Sequence, residues 1–165
     1  AKAVICRFCG HSFEADSGDE TDNLLDEFTQ SIKKLGDELS ARLSEVTNKK
    51  DKIEILAVGL LRIAASVAHG SIYDPDRSFP PLTDKQIVWS FGLCDALTQS
   101  LNLDEEESLA YTTLYFCDVF GKEAGSKYVG IALSKHLSSI DIMSQGGQAV
   151  QKFLKDGTPP MMPKE

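Results

Sequence analysis

A chain of 165 residues has room for one domain with a genuine core and a small appendage. Its composition, 42% hydrophobic and 25% charged, is that of an ordinary globular protein. The net charge of −8 argues against general affinity for nucleic acid or an anionic membrane, both of which need concentrated Lys and Arg.

The chain opens on Val4-Ile5-Cys6-Arg7-Phe8-Cys9-Gly10-His11-Ser12-Phe13. Two cysteines two residues apart can aim their thiolates at one point, and Gly10 tolerates the left-handed backbone that such a tight turn needs. The stretch resembles the knuckle of zinc ribbons and rubredoxins, in which Cys-x-x-Cys-Gly follows a hydrophobic strand and precedes an aromatic. The resemblance covers residues 4–13, and the second Cys-x-x-Cys of those families is missing. It implies a structural zinc held by Cys6 and Cys9, with His11 near enough in sequence to be a third ligand. His69, His136, Cys94 or Cys117 would complete the set if the fold brings one of them close. Alternatively, two chains could each supply Cys6 and Cys9 to a four-thiolate site across a dimer. A redox Cys-x-x-Cys is the rival reading, although such a motif belongs at a helix start after a strand. Two ordinary thiols near a terminus are the third. The sequence starts without Met, so upstream residues could account for the missing knuckle.

Residues 14–27 carry seven acids and no base. Residues 14–20 read as an acidic linker, with Ser17-x-x-Glu20 and Thr21 as alternative helix starts. Leu24, Leu25, Phe28, Ile32, Leu35, Leu39, Leu43 and Val46 then recur at spacings of three and four, which predicts a helix of about 25 residues. Gly36 weakens that helix by about 1 kcal/mol relative to Ala. Asn48 caps the next helix. It is apolar on nearly all sides from Ile53 to Ala68, which puts it at the centre of the domain, and it stops near Gly70. Its interruption by Glu54, Gly59, Arg62 and Ser66 keeps it from reading as a membrane span.

Residues 71–82 contain three prolines and cannot be regular helix; Tyr73, Arg77 and Phe79 make the loop a candidate for recognition unless its aromatics tuck inward. Thr83-x-x-Gln86 is a capping box opening a helix through Leu101. Asp104-x-x-Glu107 opens another, ending near Gly121. A further helix from about Ala124 runs through His136 and Ile140 to Met143, where Gly146-Gly147 interrupts it. A short helical segment with Val150, Phe153 and Leu154 follows, and residues 157–165 form a Pro-rich tail, extended or disordered.

The fold class is therefore all-α, a five- or six-helix bundle over residues 21–156 with a short N-terminal zinc-knuckle-like hairpin at 1–13. No signal-peptide pattern is present, and Cys94 and Cys117 sit in apolar helical patterns as reduced cysteines do, so a cytoplasmic setting is expected. Phosphate-loop and nucleophile-elbow motifs are absent. The expected function is non-enzymatic: a protein-interaction or regulatory module whose partner is another protein, a basic one by charge, or a second copy in a homodimer. The alternative is a helical-bundle enzyme or ligand binder with a pocket around Tyr111, Asp118 and His136, joined by Tyr115 and Tyr128. Asp95 and Asp118 could also meet His136 or His69 inside the bundle, but adjacent helical positions diverge by about 100°, so Cys94 and Asp95 cannot share a direction.

Overall fold

The computed structural model describes residues 4–5, 12–13, 18–70 and 78–164, with side chains from Asp26 onward. Val4–Ile5 (β1) and Ser12–Phe13 (β2) pair antiparallel, Val4 opposite Phe13 and Ile5 opposite Ser12. Among the described residues six α-helices follow: α1 (Gly18–Glu45), α2 (Lys49–His69), α3 (Asp84–Gln99), α4 (Glu105–Phe120), α5 (Lys122–Lys135) and α6 (Ile140–Asp156). The all-α expectation holds.

Local chemistry sets most of the helix ends. The Asn48 side chain accepts from the Lys50 N–H at 2.8 Å, satisfying a donor that the first turn of α2 leaves without a partner. Gly70, at φ 61°, closes that helix in the left-handed conformation. Both predicted capping boxes form: Thr83 with Gln86 on α3, and Asp104 with Glu107 on α4.

Three elements depart from expectation. α1 begins at Gly18, inside the stretch read as linker. The helix expected from Ala124 to Met143 breaks after Lys135 into a 3-10 turn, His136–Ser139, before α6 starts. α6 then runs unbroken through Gly146 and Gly147. Packing requires Gly146 on α6 and Gly92 on α3. A Cβ on Gly146 would lie 2.0 Å from the Trp89 carbonyl oxygen, and one on Gly92 would lie 1.9 Å from that of Met143. Only hydrogen at these two positions lets the backbones of α3 and α6 come so near.

That contact also moves the centre of the bundle. α2 is heavily buried, as its pattern requires, through Leu60, Leu61, Ile63 and Ala64. α3, however, is the helix that touches α2, α4, α5 and α6 together, with Trp89, Leu93 and Cys94 sealed inside. α1 occupies the periphery. It packs on α2, burying Ile32 and Leu39 and half-burying Phe28, Leu35 and Leu43.

The tail is extended and bound to the bundle. Gly157, at φ 73°, ends α6, and the next residues alternate as an extended backbone must: Pro160 and Met162 are buried while Met161 is 62% exposed. Gln86 fastens its far end, donating from Nε2 to the Pro163 carbonyl at 3.1 Å while Oε1 accepts from the Thr83 N–H.

Candidate functional site

Cys6, Cys9 and His11 lie outside the described residues, as do residues 71–77 of the loop that carries Tyr73 and Arg77. Phe79 does tuck inward, edge-on to Phe120 at 5.9 Å between ring centroids. Among the described residues no three His, Cys, Asp or Glu side chains gather closely enough to hold a metal. The further ligands considered for the knuckle are individually accounted for. Cys94 is fully buried, and burial, followed by the charge of Asp95, pushes its thiol well above its ordinary range. Cys117 is half-buried, its Sγ 3.7 Å from the Lys122 carbonyl oxygen and 3.8 Å from Ser126 Oγ. Burial lowers His69 below its ordinary value, disfavouring the imidazolium.

The structure brings together part of the carboxylate–histidine constellation. Asp95 is half-buried and accepts from Gln99 Nε2 at 2.8 Å. Burial raises its carboxyl; the Gln99 hydrogen bond and the nearby His136 oppose that rise. His136 Nδ1 lies 2.8 Å from the Leu133 carbonyl oxygen. Cys94 and Asp95 diverge, one into the core and one to its margin, as helical geometry requires. Asp118 is exposed.

The tyrosines serve separate contacts. Tyr128 accepts the Leu82 N–H at 3.1 Å and packs edge-on against Phe120. Tyr111 lies beside Tyr115, with the Lys50 ammonium 5.7 Å from its ring centroid. The Tyr115 hydroxyl is buried without a hydrogen-bond partner among the described residues, and burial pushes its ionisation upward.

Two hollows lie beside the peripheral helix, the larger among α1, α2, α6 and the tail and the smaller among α1, α2, α3 and α6, and Tyr111, Asp118 and His136 line neither. The larger, about 500 Å³, has a floor of Phe28, Ile32, Ile63, Val67 and Phe153, with Met161 of the tail as one wall. The smaller, about 400 Å³, lies between Leu43, the start of α2, the end of α3 at Ala96 and Leu97, and the C-terminal half of α6, with Lys49 and Lys52 among its lining. Between the two stretches of α1 that line them, Leu39 seats on Gly59 of α2. Volumes of this size hold several side chains of a ligand or partner. Sequence reasoning missed this seam because its walls come from four helices and the tail. The one local signal was Gly36, a poor helix former inside an otherwise regular apolar stripe; its missing side chain opens directly onto the larger hollow, with nothing within 4 Å of where a Cβ would stand.

Fold and seam together define a helical bundle carrying an open apolar cleft. No protein-family model, curated protein or solved structure matches this chain. None of the described helices is long and apolar enough to cross a membrane.

Proposed function

We propose that this chain is a cytoplasmic protein-interaction module, non-enzymatic, that engages another protein through the seam beside α1 and carries a structural zinc at Cys6 and Cys9 with His11. The observation that carries the reading is the seam itself. Apolar side chains at a helix junction ordinarily close against one another, and among the described residues this junction leaves two hollows. The net charge of −8 favours a basic partner. Zinc between the two short strands would fix the N-terminal hairpin, which is too small to hold itself together by burial. In a homodimer the same thiolates could instead join two chains.

Photo-crosslinking in the cytoplasm tests this reading. A benzoylphenylalanine at Lys33, on the rim of the larger hollow, is compared with one at the exposed Lys127 of α5. The expected result is a discrete protein adduct from position 33 that is absent from position 127. Identical patterns from both positions, or none from either, would refute the seam as an interaction surface.

A further inference from the structure

We propose that residues 158–163 are a releasable strap: they occupy, in cis, a groove on the bundle that takes an extended proline–x–methionine segment, and they leave it as a unit while the helices stay folded. This holds whether or not a partner protein engages the seam.

The tail is held as a peptide ligand is held, by side chains and one anchor. Gly157 ends α6 in the left-handed conformation, and Asp156 Oδ1 accepts from the Thr158 N–H at 2.9 Å, which turns the chain out of the helix. Beyond that turn Pro160 and Met162, two residues apart, are both buried, while Met161 between them is exposed. Met162 joins the same buried cluster as the core of α2 and α3. Among the described residues, 158–163 make no backbone hydrogen bond to the bundle's backbone. The Gln86 side chain supplies the tie, donating to the Pro163 carbonyl at 3.1 Å. Gln86 is itself buried and fixed without the tail, because its Oε1 accepts from the Thr83 N–H within the capping box of α3. Two side-chain sites and a preset donor are the equipment of a groove for an extended peptide.

Proline makes both docking and release easy. Residues 159, 160 and 163 lack the N–H and have φ fixed, so the segment is already extended before it docks and strands no donor at those positions when it departs. Release also reshapes the seam. Pro159 and Met161 line the larger hollow together with Ile63, Val67 and Phe153. When the tail leaves, that wall goes with it, and the hollow opens onto the sites vacated by Pro160 and Met162. The groove therefore has two states, one closed by the chain's own segment and one open to a segment of the same chemistry in trans.

The test uses the full chain with Met162→Asp, which puts a charge into an apolar site and drives the tail out, and a fluorescein-labelled peptide of residues 157–164. Fluorescence anisotropy should show saturable binding to this variant. Wild type should bind more weakly by about tenfold or more, since its own tail competes from an effective concentration of about millimolar. Two unlabelled peptides of identical composition fix the register: one with Asp at the position of Met161 should compete, and one with Asp at the position of Met162 should not. Equal binding to wild type and variant, competition by both peptides or by neither, or no binding to a variant that keeps a cooperative melt overturns the proposal. Release itself is read in wild type, whatever the stability of the variant, by NMR of the three methionine methyl groups. As urea rises, Met162 should reach its free-chain position before Met143 of α6 leaves its folded one. A joint transition makes the tail part of the cooperative core and overturns the proposal.

Discussion

Replacing Gly92 or Gly146 with alanine should destabilise the protein, against the ordinary rule for glycine in helices. Alanine is favoured over glycine in a helix interior by about 0.5–1 kcal/mol, so propensity alone predicts a gain. At Gly92 the added Cβ would stand 1.9 Å from the Met143 carbonyl oxygen and 2.6 Å from its carbon. An ordinary carbon–oxygen contact is about 3.3 Å, so α3 and α6 would have to separate by about 1.4 Å locally. Both clashing partners are backbone, which no rotamer change can move aside. Overpacking of this kind costs about 1–3 kcal/mol, and a gap of about 1 Å elsewhere along the interface forfeits up to half of each dispersion contact there. The upper end of that range applies, and after the propensity gain a net loss of about 2 kcal/mol or more remains. That corresponds to a melting temperature lower by roughly 4–8 °C for a chain of this size.

Thermal and urea unfolding followed by circular dichroism would read the shift for Gly92→Ala and Gly146→Ala, with Gly36→Ala as the control. Nothing lies within 4 Å of a Cβ at position 36, so that variant should gain up to about 1 kcal/mol. If either interface variant is as stable as Gly36→Ala, the close approach of α3 and α6 is not what holds the bundle, and the reasoning fails.

Tyr128→Phe removes the acceptor of the Leu82 N–H and should cost about 1–3 kcal/mol, since a buried donor is left without a partner; urea titration measures it. Asp95→Asn should flatten the acid side of the stability profile. The Asp95 carboxyl is raised above 3.8 in the folded state, so its contribution is fully present below that value and is lost as pH rises through the raised one. The neutral amide has no such loss and keeps an acceptor for Gln99, so unfolding titrations across that window should separate the two proteins, and coincident profiles would refute the assignment. Elemental analysis should find about one zinc per chain, lost in Cys6→Ser/Cys9→Ser; about half a zinc per chain in a dimer would place the site between subunits. Metal-free protein purified without chelator would remove the zinc proposal.

What the sequence displayed was local. Capping residues act within three or four positions of themselves, so Asn48, Thr83 and Asp104 could be read without knowing what they pack against. The break between α5 and α6 could not be read in that way. Leu133, Leu137 and Ile140 keep a helical spacing, but the intervening 3-10 turn advances about 120° per residue against 100° in an α-helix, so four residues rotate the face by about 80°. The stripe is carried off the core, leaving Leu137 81% and Ile140 64% exposed. Trp89 went unpredicted for a related reason. α3 is enclosed on several sides, and a helix buried over most of its circumference shows no single stripe from which to choose.

Gly36 and Gly92 show why the seam was the least legible feature. In sequence they are the same residue in the same setting, a glycine within a helix, and propensity assigns each the same small penalty. Their neighbours in space separate them. At Gly92 the absent side chain is replaced by another helix, so the penalty is returned as backbone contact between α3 and α6. At Gly36 the absent side chain is replaced by open volume, and the folded chain recovers nothing. A glycine that costs stability without improving any contact in its own fold is what a surface shaped for an external ligand would contain, because the compensation then arrives with the ligand. Filling position 36 should therefore strengthen the isolated protein and weaken the complex, whereas filling position 92 should weaken both. Opposite signs from one substitution type at two helical positions would separate the part of this bundle that folds from the part proposed to bind a partner.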